Sequence, residues 1–222
     1  MFNFIIALAT LIVLSFLAFL RLLSILPSTN PPPPPPPRPP KSHTHLLAVL
    51  GSGGHTSEAL LLLSSLNPSK LSYRTYIVSS GDSLSAQKAL DFELTRASSR
   101  ESFTIKEIPR ARKIGQSWLS TPASCLRCFL SCLVAVGGGG RGGVVDVVVC
   151  NGPGSAVMVV GACLWYKFWG AKTRTIYVES FARVKSLSLS GRILYWLVDR
   201  FIVQWPRLKE RYKRAEYHGI LV

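Results

Sequence analysis

Three short stretches place glycines, hydroxyls and ionisable side chains directly after apolar runs. The first is Gly51-Ser52-Gly53-Gly54-His55-Thr56-Ser57-Glu58, which follows Leu46 to Leu50 and precedes Ala59 to Leu63. In open parallel α/β sheets, ligands gather beyond the carboxyl ends of strands, where the free amides of a helix N-terminus meet an anion. Gly51, Gly53 and Gly54 let the backbone approach such a ligand closely, while Ser52, His55, Thr56 and Ser57 offer further donors. His55 is also the residue type most often used as a general base near neutral pH. The competing structural reading is a tight glycine turn with a Thr or Ser helix cap.

The identity of the anion is narrowed by what the stretch lacks. A nucleotide P-loop needs a Lys followed by Ser or Thr at the end of a longer loop, and none follows Gly54. The dinucleotide fingerprint is met at Gly51 and Gly53 only, because Thr56 stands at its third glycine position. Asp82, after the next apolar run, keeps that reading open as a ribose contact, and a membrane-tethered dinucleotide-dependent oxidoreductase is therefore the alternative function.

The second stretch is Cys150-Asn151-Gly152-Pro153-Gly154-Ser155, again between an apolar run and a helical pattern. Asn151, Gly152, Gly154 and Ser155 repeat the logic of the first. The third is Tyr177-Val178-Glu179-Ser180-Phe181-Ala182-Arg183. There Glu179 is a weaker candidate base than His55, and Arg183 either supports a substrate or pairs with Glu179.

The elements that must position these loops alternate between short β-rich runs and helical patterns, which indicates a parallel sheet with crossover helices. Strands are expected at Leu46 to Leu50, Tyr73 to Ser79, Phe103 to Ile108, Val144 to Cys150, Thr173 to Val178 and Phe201 to Val203. Helices are expected at Ser57 to Ser65, Ser83 to Ala97, Ser117 to Val136, Ser155 to Trp169 and Ser190 to Leu197, with a basic segment from Leu208 to Arg214. The helix within Ile114 to Val136 is readable either as a buried crossover or as a membrane-contacting segment. Three parts result: 1–26, an apolar anchor; 27–45, a proline-rich linker; and 46–222, one Rossmann-like α/β domain.

The anchor has about 20 apolar positions before Arg21, enough to cross the roughly 30 Å hydrocarbon core. No Lys or Arg precedes it, whereas Arg21, Arg38 and Lys41 follow, so the positive-inside bias puts the body in the cytosol. Pro31 to Pro40 reads as a stiff polyproline spacer, and Gly137 to Gly143 as a surface loop without chemistry. A formal charge of +15 implies an anionic partner, for which membrane headgroups and phosphate ligands are favoured over nucleic acid. Five cysteines in apolar surroundings suit a reducing compartment, and no zinc-type ligand spacing accompanies Cys125 and Cys128.

The anchor, LAVLGSGGHTSEAL, CNGPGSA and YVESFARV together resemble the membrane-anchoring subunit of the two-chain UDP-N-acetylglucosamine transferase of the dolichol pathway. That family is similar to the acceptor half of the bacterial lipid-linked N-acetylglucosamine transferase, and Gly53-Gly54-His55 matches the relative's Gly-Gly-His. The resemblance implies the N-terminal half of a GT-B glycosyltransferase, in which Gly51, Ser52, Gly53, Gly54, Thr56 and Ser57 hold an acceptor diphosphate. It implies a partner, a soluble catalytic subunit carrying the UDP-GlcNAc donor, with no cofactor or metal on this chain and no activity alone. It further implies dolichyl-diphosphate-GlcNAc as acceptor and the cytosolic face of the endoplasmic reticulum membrane as location. A third expectation is a pure scaffold, in which only the anchor and the C-terminal tail matter.

Overall fold

The computed structural model describes residues 2–28, 44–67, 71–96, 102–112, 115–138, 143–152 and 154–222. The proline run, the centre of the glycine run at 139–142, Lys113, Ile114 and Pro153 lie outside them. Helix α1, Phe2–Ile25, is exposed along its length, and it is the one helix among the described residues long and apolar enough to cross a membrane. Near its end the Arg21 guanidinium donates to Lys167 O and Phe168 O, each at 3.1 Å. Those are carbonyls in the last turn of a helix of the body, where a cation is favoured by the helix dipole.

The body runs β1 (His45–Val49), α2 (Gly54–Ser64), β2 (Tyr73–Ser79), α3 (Ser83–Thr95), β3 (Phe103–Ile108), α4 (Thr121–Gly137), β4 (Val147–Asn151) and α5 (Ser155–Phe168). It continues through β5 (Arg174–Val178), α6 (Leu189–Leu194), β6 (Arg200–Val203), α7 (Pro206–Arg211) and β7 (Glu216–Tyr217). All seven strands are parallel in the order β3-β2-β1-β4-β5-β6-β7, the α/β Rossmann-like sheet that the alternating pattern anticipates. Strand periodicity divides the core in two. Leu46, Ala48 and Leu50 pack with Ala59, Leu63, Tyr76 and Ala89 on the side of α2 and α3. Leu47 and Val49 point the other way, into a larger cluster with Val136, Val148, Val159, Cys163, Tyr177 and Leu194. Burial on both faces is why these strands read as continuous apolar runs.

Several boundaries differ from the sequence expectation. Helix α2 begins at Gly54 rather than Ser57, which puts His55 in its first turn. Helix α4 begins at Thr121 rather than Ser117, because Pro122 occupies the first turn, where its missing N–H costs nothing. Helix α6 ends at Leu194, the basic segment Leu208 to Arg214 falls in α7 and the turn after it, and a two-residue β7 beyond it pairs with β6. Helix α4 has one buried face, as a crossover helix requires, and one exposed apolar face. Cys128, Cys132, Ala135 and Val136 are buried, while Leu126, Leu130 and Val134 form an exposed stripe at four-residue spacing. Trp118 and Leu119 extend that apolar surface, Leu119 at 94% exposure, and the Arg112 guanidinium lies 4.0 Å from the Trp118 ring centroid.

Two buried ion pairs lock the frame. Glu93 is fully enclosed on α3 and accepts from Arg74 Nε at 2.7 Å, Arg74 Nη2 at 2.8 Å and the Tyr76 hydroxyl at 2.5 Å. Lys167 Nζ meets Asp199 Oδ2 at 2.6 Å, and that carboxylate also takes Thr175 N at 2.7 Å. At the sheet edge a partly exposed pair, Arg200 with Glu216, ties β6 to β7. Hydrogen bonds from Arg200 lower the Glu216 carboxyl from its ordinary 4.5 to about 2, against burial and with further help from His218. Because the folded value is depressed, this stabilisation is present above pH 4.5 and is lost as pH falls toward 2. The stability difference between the native chain and Glu216→Gln, read from denaturant titrations, is therefore expected to shrink across that window.

Candidate functional site

The sheet order fixes where a ligand can enter. From β1 the chain moves outward to β2 and β3, then returns to β4 on the other side of β1 and moves outward again. Helices α2 and α5 therefore leave adjacent strands toward opposite faces, and a crevice opens beyond the carboxyl ends of β1 and β4. Both glycine loops lie there.

In the first loop Gly53 takes φ +66° and forms the N-cap of α2, with no side-chain oxygen satisfying the helix amides. Ser52, Gly53 and Gly54 are exposed. Thr56 departs from the expected donor role: it is fully buried, its hydroxyl donates to Gly51 O, and it lies 2.6 Å from Ser85 Oγ. Ser85 in turn donates to Asp82 Oδ2 at 2.7 Å and, through its amide, to Asp82 Oδ1 at 3.2 Å. Asp82 is thus the N-cap of α3 and an anchor for the Gly51 turn, so the ribose contact assumed by the oxidoreductase reading finds no support. Ser57 is exposed and accepts from Lys88 Nζ at 3.1 Å, which brings to the rim a cation from α3 that no sequence pattern places there.

The second loop meets the first through side chains. Asn151, the last residue of β4, is fully buried, and its Oδ1 lies 3.0 Å from His55 Nδ1. Gly152 has φ +73°, and a Cβ there would stand 2.3 Å from His55 Cε1. The imidazole is therefore seated on the glycine backbone. Gly154 caps α5 without a side-chain acceptor from a neighbour, and Ser155 behind it is buried. Two helix N-termini, neither capped by a side chain, thus flank His55.

Glu58, three residues after His55 on α2, is the residue the sequence reading left without a role. Its Oε2 accepts from Asn151 Nδ2 at 2.9 Å and from Phe181 N at 3.4 Å, and its Oε1 accepts from Ser180 Oγ at 3.0 Å. The spacing was the available signal, since residues three apart share a helix face. One carboxylate thereby joins all three stretches.

Glu179 does not serve as the sequence suggested. It is 0% exposed and its carboxylate accepts from Ser188 N at 3.0 Å, Ser188 Oγ at 3.1 Å, Ser180 N at 3.2 Å and Tyr177 OH at 3.4 Å. A Cβ on Gly191 would stand 2.1 Å from its Oε2, so the packing around it is closed. Sealed and fully bonded, it fixes the turn after β5 to the start of α6 rather than acting as a base. Among the described residues no ion pair joins it to Arg183, which is exposed. Beside it, Gln204 donates to Glu179 O at 3.1 Å and accepts from Leu221 N at 3.1 Å, tying the C-terminal tail to the same turn.

An all-parallel α/β sheet whose strand order reverses once at β1, with two uncapped helix N-termini and a histidine at that point, defines a doubly wound Rossmann-like domain. Residues 46–221 match the family described as "Oligosaccharide biosynthesis protein Alg14 like", and the chain belongs to that family. Its relatives include the UDP-N-acetylglucosamine transferase subunit alg14 of Schizosaccharomyces pombe, 46% identical over 179 residues, covering 80% of this chain and 83% of the relative. The human subunit ALG14 is 42% identical over 183 residues, covering 80% and 82%. Among solved structures, Arabidopsis thaliana UGT89C1 complexed with quercetin is similar at TM-score 0.47 and 12% identity, covering 82% of this chain and 51% of that one. LpCGTa in complex with UDP is similar at TM-score 0.45 and 12% identity, covering 62% and 30%. This chain thus spans about a third to a half of those two structures.

The seat of His55 is testable. Gly152→Ala is expected to cost about 1–2 kcal/mol through the left-handed backbone alone, seen as a lower denaturant midpoint. In addition, the Cβ must push the imidazole off Asn151, so a histidine NMR signal assigned to His55 is expected to move.

Proposed function

We propose that this chain is the acceptor-holding, membrane-anchoring subunit of a two-chain UDP-N-acetylglucosamine transferase. The observation that carries the reading is the His55 crevice, in a chain whose relatives are named as subunits of that transferase. In this reading the body is half of a GT-B fold, and a soluble catalytic subunit supplies the UDP-GlcNAc site. The acceptor is dolichyl-diphosphate-GlcNAc. Its diphosphate sits against the amides at the starts of α2 and α5, which stabilise negative charge without a bound metal. The Lys88 ammonium adds a cation at the rim.

His55 then takes the proton from the acceptor hydroxyl as it attacks the anomeric carbon of the donor, from which UDP departs. The base is held on this chain and the leaving group on the other, so neither chain transfers sugar alone. The site faces the cytosolic leaflet of the endoplasmic reticulum, with α1 in the bilayer. Its exposed α4 stripe, flanked by Arg112 and Arg127, rests on the lipid surface.

Reconstitution of both chains with a lipid-linked acceptor tests the reading. Neither chain alone is expected to transfer GlcNAc; together they do, and His55→Ala lowers the rate by roughly 10²–10⁴ if it is the base. Robust transfer by this chain alone would sink the proposal. For α4, a nitroxide attached through Leu130→Cys in a Cys125→Ser background is expected to relax more with oxygen than with an aqueous nickel complex in anionic vesicles. Greater access to nickel would place the stripe in water.

A further inference from the structure

The hydrogen bonds around Asn151 carry more than proximity, because their directions can be read from the chemistry of the end groups. A glutamate carboxylate only accepts, and a primary amide has one accepting end and one donating end. Glu58 Oε2 lies 2.9 Å from one end of the Asn151 amide, which must therefore be the NH₂ end. The amide oxygen is then turned toward His55, 3.0 Å from Nδ1. An amide oxygen cannot donate, so Nδ1 carries the hydrogen. In the neutral ring the remaining lone pair is on Nε2.

Glu58 is itself held so that it cannot release the amide easily. Its other bonds come from Ser180 Oγ at 3.0 Å and Phe181 N at 3.4 Å, both on the turn after β5. Asn151 is fully buried, and a Cβ on Gly152 would clash with the imidazole, so the two side chains are confined against each other. From these directions we infer that Glu58 is a positioning residue: by orienting the Asn151 amide, it fixes His55 as the Nδ1–H tautomer and leaves Nε2 as the proton acceptor. The effect runs through one charge-assisted hydrogen bond, Asn151 to the Glu58 carboxylate, and one between the Asn151 and His55 side chains, with no proton transferred along the chain. It rests on the proposed role of His55 as base, but the tautomer itself can be observed without any substrate.

Two measurements test it on the full chain in nanodiscs. In the first, ¹⁵N-labelled histidine is read by long-range ¹H–¹⁵N correlation above the ring's titration, with His55 assigned through His55→Gln. The neutral ring is expected to be Nδ1–H in the native chain, and in Glu58→Ala the freed amide should turn and shift the population toward Nε2–H. In the second, transfer by the reconstituted pair is expected to lose roughly tenfold to a hundredfold in kcat with Glu58→Ala, with KM for the acceptor little changed, and less than is lost with His55→Ala.

Because Glu58 bridges three loops, a loss of rate alone could reflect a loosened fold. The exchange Glu58→Gln/Asn151→Asp separates the two explanations. A glutamine at 58 can donate to an aspartate at 151, whose second oxygen accepts from Nδ1; the one bond given up is the long one from Phe181 N, while the glutamine oxygen still accepts from Ser180 Oγ. This double variant is expected to restore the Nδ1–H tautomer and at least tenfold of the lost kcat. An Nε2–H ring in the native chain overturns the inference, as does an unchanged tautomer in Glu58→Ala, or a double variant no faster than Glu58→Ala. Failure of the native pair to transfer sugar would instead remove the transferase reading, and the tautomer result would stand on its own.

Discussion

A parallel sheet that begins in its middle must run out to one edge and come back to the far side of its first strand. Here β1 is that middle strand, and every feature of the crevice follows from its position. Adjacent strands β1 and β4 send their helices to opposite faces, so their loops part at the strand ends instead of covering each other. Each loop must turn within a few residues of its strand. The positive φ values at Gly53 and Gly152 are the backbone cost of those turns, and glycine is the residue that meets it with least strain.

The buried carboxylates sort by distance from that opening. Glu93 and Asp199 are paired with Arg74 and Lys167, deep against the helices and away from the loops. At the crevice end, Glu58 and Glu179 are satisfied by amides and hydroxyls, and among the described residues no cation is bonded to either. A carboxylate bound this way holds loops in register through several directional bonds. The cost of enclosing Glu179 is met by four donors drawn from Tyr177, Ser180 and Ser188.

Much of this architecture is legible in the sequence. The limits of β2 and β3 match the expected strands residue for residue, and the strand-to-helix junctions beside His55 and Asn151 fall where the alternation of strand and helix puts them. What escaped reading depends on contacts between distant residues. The spacing of Glu179 and Arg183 suggests an ion pair, but Ser188 and Gly191 of the following helix close over the carboxylate first. Thr56 looks like a donor for a ligand until Gly51 and Ser85 are seen to hold it. Glu58 needs partners 93 and 122 residues away before its position on α2 means anything. Strand β7, two residues long, has too little pattern to announce itself.

Helix α5 begins at Ser155 beside the crevice and ends at Phe168, where Arg21 is bonded. Its 14 residues make a rod of about 21 Å. The apolar helix α1 and the imidazole are thus held at the two ends of one strut, and the strut's length, not the linker between α1 and β1, sets their separation. A ligand seated at His55 therefore lies at a fixed offset from the point where α1 joins the body. Inserting or deleting one helical turn in α5 would move that point by about 5.4 Å without altering a residue of the crevice.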